Sequence, residues 1–426
     1  MKLKLLQSAL LASSLSFAAS PGTTANYTVH EWGTFTSVQG GDGHLQWWQS
    51  TQVSELPNFV YDWTKPGLNR GSLFQGKGFM VTLQRMETPV IYFYANQPLT
   101  ADVDISFPQG SITEWYPQAT QVGPTFAANS NAPVGGILKR SGIIWRNLEI
   151  TPDVKADSSL PQDASGSHYF AARATAANLV RANVPTPTNA VTELEKFLFY
   201  RGTGNFKTPL RVTIDSNSIV TVENTGAKTL AHLFLLNIHD GHGAFGVMDE
   251  LNSSNSVTWL QLTVDNTEHW RQFPLARFQT EIGAQMQAAL VSEGLFADEA
   301  KAMVNTWKDS WFTEEGVRVL YLLPRPWTDE TLPMTLNPQP KDLTRVMVGR
   351  AEIITPDVET NLFQLLTKAQ HGDTNARDQA SAELKRLGRF AEPALRLANS
   401  HTNQTDNVNA MSLGYQLINP SRSAFE

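Results

Sequence analysis

Y-T-V-H-E-W-G-T-F-T-S-V, residues 27–38, alternates from end to end, with His30, Trp32, Thr34 and Thr36 on one face and Val29, Glu31, Gly33 and Phe35 on the other. A period of two is the spacing of a β-strand, whose successive side chains point to opposite sides. Gly40-Gly41-Asp42-Gly43 follows as a turn and leads into residues 45–49, so the two segments are expected to pair as a hairpin. Further out, apolar or alternating stretches recur at 79–86, 88–95, 101–107, 142–150, 210–214, 219–223, 230–238 and 257–264, punctuated by Gly, Pro, Asn and Asp. This is an all-β pattern.

Helical periodicity takes over next. Phe278, Ile282, Met286 and Leu290 sit four apart, as do Met303, Trp307 and Trp311, which predicts one apolar stripe per helix over about 275–311. Strand character returns at 317–323 and 345–354. Thr355-Pro356-Asp357 then supplies a helix cap, a proline suited to the first helical position and an early acidic residue, and the pattern stays helical to the end. The expected fold class is α+β. A large antiparallel, sandwich-like β body spans 26–356 with the helical block as an insertion or cover, and a helical tail spans 357–426. Within the tail, A-S-A-E-L-K-R-L-G-R-F-A-E-P-A-L at 380–395 resembles a HEAT-type helical repeat. One such unit cannot bury its own apolar face, so the tail is expected to dock on the body.

The chain of 426 residues opens with Lys2 and Lys4, an apolar run from Leu5 to Phe17 and then small residues, the layout of a secretory signal cleaved near Ala18. The run is shorter than the roughly 20 residues that span a bilayer. A released periplasmic or extracellular protein is therefore expected. The absence of cysteine excludes a disulfide framework and thiolate metal sites. The formal charge of −7, without any Lys/Arg run, argues against nucleic acid as a partner.

Familiar catalytic signatures are missing: the sequence has no G-x-S-x-G, H-E-x-x-H or P-loop. No catalytic residue or cofactor is assigned. The ligand-binding candidates are His30, Glu31 and Trp32 on the first strand and Asp42, His44, Trp47 and Trp48 beyond the turn, because tryptophan faces stack on sugar rings. Trp47 and Trp48 must point opposite ways, so one is expected in the core and one in solvent. His239-Asp240-Gly241-His242 is a weaker metal candidate and reads better as a hairpin turn. Arg85-x-Glu87 and Arg350-x-Glu352 each share one strand face and are expected to be exposed ion-pair rows, worth at most about 1 kcal/mol per pair.

V-H-E-W-G-T-F-T-S at 29–37, K-F-L-F-Y-R-G at 196–202, W-F-T-E-E-G-V-R-V-L-Y-L-L-P-R at 311–325 and R-V-M-V-G-R at 345–350 resemble a group of exported bacterial proteins without an assigned activity. The resemblance supports treating the β body as one unit and transfers no functional residue. Two functions are expected from the residues alone. The first is a non-catalytic envelope or extracellular binding protein for a glycan or another macromolecule, with the tail available to a protein partner. The alternative is a secreted hydrolase acting on polysaccharide, with carboxylates drawn from Glu31, Asp42, Asp62, Glu87 or Glu114.

Overall fold

The computed structural model describes residues 24–50, 56–62, 81–123, 136–137, 140–152, 159–185, 190–259, 271–400 and 412–418. The expected signal segment, 1–18, lies outside them. Strand β1 (Thr24–Gly40) runs through the middle of a ten-stranded sheet. One neighbour is Gln339–Ile354, paired in parallel, and the other is Gln84–Ala95, paired antiparallel. Gly316–Leu323, Leu230–His239, His242–Leu251 and Arg271–Pro274 continue the sheet on the first side; Leu198–Gly204, Gly110–Tyr116 and Tyr61–Asp62 continue it on the second.

The expected hairpin of 27–38 with 45–49 is corrected by this pairing. Only Gln39 bridges to Leu45, and Trp48-Gln49 pairs instead with Val81-Thr82. The physical reason lies in burial. Val29, Trp32 and Phe35 are all inaccessible to solvent, so β1 needs cover on both faces and a strand on each edge, which a two-stranded ribbon cannot provide. The expectation of an antiparallel body is likewise modified at its centre by the parallel pair.

A second sheet, built around Leu99–Ser106 and Gly142–Thr151, shares one continuous apolar core with the first. Helices α1 (Leu275–Ser292) and α2 (Ala297–Phe312) bury the stripes read from the sequence, including Phe278, Ile282, Met286, Leu290, Met303, Trp307 and Trp311. α2 lies along the face of β1 that carries His30, and a short helix α3 (Arg325–Thr331) follows the next strand. The molecule is α+β, with helices mostly toward its C-terminal part.

The tail begins as its cap predicts: the Thr355 hydroxyl accepts from the Val358 amide at 3.3 Å and Pro356 takes the first position of α4 (Pro356–Gln370). Helices α4, α5 (Thr374–Leu387) and α6 (Ala391–Ser400) form a second apolar cluster through Leu362, Leu366, Ala380 and Leu395. Val38, Trp48 and Ile354 of the body complete that cluster, with Trp48 and Phe390 ring centroids 5.8 Å apart. No helix among the described residues is long and apolar enough to cross a membrane.

Candidate functional site

The residues singled out on β1 are core. His30 donates from Nδ1 to Glu299 of α2 at 2.7 Å, Trp32 is fully buried, and Glu31 on the opposite face accepts from Arg345 at 2.6 Å and from the Tyr200 hydroxyl at 2.5 Å. Arg345 also meets Asp329, which Arg325 holds in turn. Past the turn, Asp42 and His44 are exposed and engage each other at 2.9 Å. Trp47 is 46% exposed whereas Trp48 is buried under the tail. The aromatic surface is thus reduced to a single ring, and β1 does not bring its His and Glu to it. Asp240 and Gly241 adopt the left-handed backbone of a tight hairpin, with His239 and His242 exposed on either side. Asp62 lies opposite Glu114 across the last pair of strands.

The structure overturns the solvent-exposed reading of the two Arg-x-Glu pairs. Arg85, Glu87, Arg350 and Glu352 are all at most 6% exposed. Register explains why they meet: Thr36 of β1 has Arg350 beside it on one neighbouring strand and Arg85 on the other, while Thr34 faces Glu87. Directly adjacent residues share a sheet face, so these charges form one row across the sheet centre. The end of α2, the short turn His168–Arg173 and the tail residues Gly388–Phe390 cover it.

A cavity of about 360 Å³ remains under this cover, with Arg85, Glu87, Arg201, His168, Trp307 and Arg389 in its wall. Glu87 is its central anion. It receives the Thr36 hydroxyl at 2.9 Å, Arg389 at 2.5 Å and Arg85 at 3.2 Å. Burial alone would raise its pKa, but Arg389, Arg85, Arg201 and Arg350 outweigh that and hold the carboxyl well below the ordinary range. Arg350 is matched separately, by Glu352 and Glu314 at 2.7 Å each, and donates to the Ser310 hydroxyl at 2.6 Å. The Phe390 ring lies under the guanidinium groups of Arg350 and Arg389 at 5.1 and 4.9 Å.

Arg201 stands apart. It is 3% exposed, donates to the Thr88 hydroxyl at 3.3 Å, and has no carboxylate in ion-pair range among the described residues. Its Nε is buried without an acceptor, as are Arg389 Nε and Trp307 Nε1. The cross-strand neighbour, Glu114, accepts instead from the Thr113 hydroxyl. Burial, followed by repulsion from Arg201, pushes Arg85 down to about 10 and His168 down to about 4, so His168 is neutral at neutral pH. Chemically, the wall sets Arg85, Arg201 and Arg389 against Glu87, with Asp309 and Glu314 also lining it, and its spare donors on Arg201, Arg389 and Trp307 are the feature that suits an oxyanion.

Arg201, Arg389 and His168 were not among the sequence candidates. Arg201 had one legible signal, an arginine inside L-F-Y-R-G-T-G, a strand whose residues are all buried. Arg389 had none, because only the docking of the tail brings it to the sheet.

Comparison with known proteins finds no matching family model and no matching curated protein. Among solved structures, the zebrafish (Danio rerio) Fcho1 mu homology domain with bound Eps15 peptide superposes with a TM-score of 0.29 at 8% identity, covering 79% of this chain and 100% of that one. The yeast delta-COP-I mu-homology domain gives 0.24 at 6% identity, over 78% of this chain and 99% of that one. The same yeast domain complexed with a Dsl1 WxWxV peptide gives 0.26 at 7% identity over the same shares. With superpositions this loose, neither a fold nor a partner transfers to this chain.

Proposed function

We propose that this is a non-catalytic binding protein, acting outside the cytoplasm, that holds an anionic small molecule or anionic substituent in the cavity around Arg201. The observation that carries the reading is the buried Arg201 guanidinium without a carboxylate partner among the described residues. Arg201 is balanced only at a distance, by Glu87, which Arg389 and Arg85 already crowd, and a ligand anion adds the close counter-ion. The spare donors on Arg201, Arg389 and Trp307 favour the same class of ligand, since an oxyanion only accepts. The hydrolase alternative has less support here. A glycosidase needs one carboxyl that keeps its proton near neutrality, whereas Glu87 and Glu314, despite burial, are both held below the ordinary range by surrounding arginines. They serve as counter-ions.

Isothermal titration of the purified protein with acetate, glucuronate, sulfate and phosphate tests the proposal, run beside Arg201→Gln. At least one oxyanion should bind the wild type, and the variant should bind it at least about tenfold more weakly, the worth of one charge-assisted hydrogen bond. Equal affinity in the variant, or silence across the panel, would refute it.

A further inference from the structure

We infer that the anion taken by the Arg201 cavity bridges the β body and the helical tail, so that its binding and the docking of the tail strengthen each other. The inference rests on that cavity being the ligand site. Two arginines of its wall come from units that pack separately. Arg201 stands on the strand Leu198–Gly204, whose Leu198, Phe199 and Tyr200 belong to the core of the body. Arg389 stands on the turn Gly388–Phe390 of the tail, whose helices gather their apolar side chains in a cluster of their own. Of the body's buried apolar residues described, Val38, Trp48 and Ile354 join that cluster.

The seam between the two units is thinly packed. Adjacent residues of the turn line two different cavities, Arg389 the one that holds Arg201 and Phe390 a second of about 310 Å³. The second lies between Ile238, Val317 and Ile353 of the sheet and Pro356, Val358 and Leu387 of the tail. Protein interiors leave few voids larger than a water molecule, so this seam grips the turn less closely than either core grips its own helices. Polar contacts hold the turn instead. Arg389 donates to Glu87 at 2.5 Å and to the Ser310 hydroxyl at 3.2 Å, and Arg386 reaches Glu315 at 3.4 Å. Docking also carries Arg389 toward like charge, since burial first and then Arg201, with Arg389 acting in the same direction, lower the pKa of Arg85 to about 10. An oxyanion that accepts from Arg201 and Arg389 together adds a tie across the seam and offsets that repulsion. Linkage then works both ways: the factor by which the anion favours the docked tail is the factor by which docking favours the anion.

Hydrogen exchange of the full chain, followed by mass spectrometry, tests the bridge with acetate, glucuronate, sulfate and phosphate, each beside chloride at equal ionic strength. A saturating anion that binds in the titration should slow exchange in α5 and α6 by at least about fivefold, the lower end of typical coupling between sites. That slowing should exceed the one in Gly142–Thr151 of the second sheet, because a ligand that only stabilises the whole fold slows both alike. Trp48→Leu, which loosens the contact with Phe390 and lies outside the cavity wall, should start with faster exchange in the tail and be slowed by the same anion. Should that variant fail to fold, the comparison of wild type with Arg201→Gln, whose tail should not respond, decides alone. Arg389→Gln should bind the anion at least about tenfold more weakly and lose the slowing. If the anion binds wild type and not Arg201→Gln, yet the tail exchanges at the same rate with and without it, or slows no more than Gly142–Thr151, the bridge fails and the site stands. If none of the four anions binds, both fail.

Discussion

On the face of β1 that carries Glu31, the charges alternate in sign from the buried Glu31 and Arg345 out to the exposed Asp329 and the half-buried Arg325, and each has an opposite neighbour. On the face that carries Thr34 and Thr36, Glu87 is crowded by arginines, and Arg201 has no carboxylate of its own among the described residues. Glu31 and Arg345 in the first set and Glu87, Arg85 and Arg201 in the second are all buried. Burial of charge therefore does not by itself mark function. A matched set locks strands and helices to one another, whereas a mismatched set beside open volume leaves a charge for something else to complete.

The most severe test removes a partner from the matched side. Arg345→Met strands the Glu31 carboxylate at 0% exposure with the Tyr200 hydroxyl as its remaining donor. Urea unfolding should show a loss of about 3–5 kcal/mol, and Glu31→Gln in the same chain should restore much of it. A loss under about 1 kcal/mol would mean that the chain of charges does not hold this face.

A smaller effect is expected from acid. His168, on the mismatched side, has its pKa lowered to about 4 against an ordinary 6.5, by burial first and by Arg201 next. The unfolded chain then takes up a proton between those values that the folded chain refuses. The stability is complete above pH 6.5 and is lost as pH falls toward 4, with a slope of at most about 1.4 kcal/mol per pH unit from this one group. Denaturation midpoints measured through that window should flatten in His168→Phe. An unchanged slope would show that His168 does not stay neutral.

Smallest of all should be Arg201→Met. Removing an unmatched buried cation should leave unfolding free energy within about 1 kcal/mol of wild type, in either direction, while binding is lost. If it costs as much as Arg345→Met, Arg201 is structural and the distinction between the two faces collapses.

Much of the scaffold was legible because its elements have strict periods. The four-residue spacing of Phe278 to Leu290 and of Met303 to Trp311 does define buried stripes, and Thr355-Pro356 does open a helix. Partner choice was not legible. A period of two announces that residues 27–38 form a strand, but nothing local names residues 339–354 as its parallel neighbour. The site was missed for a related reason. An Arg and a Glu two apart share a face, yet whether that face meets water depends on α2 and the tail arriving over it, for Arg85 and Glu87 from more than two hundred residues away. The Trp47-Trp48 pair was readable in its alternation, because that depends on neighbours alone.

The parallel pairing of β1 with Gln339–Ile354 also sets the order of events when the chain is made. The central strand precedes its longest partner by more than three hundred residues, so it leaves the ribosome well before that partner does. Until then one edge of β1 is unmatched and the cover of α2 is absent, so the middle of the sheet cannot assemble progressively from its beginning. Contacts this distant in sequence favour slow folding.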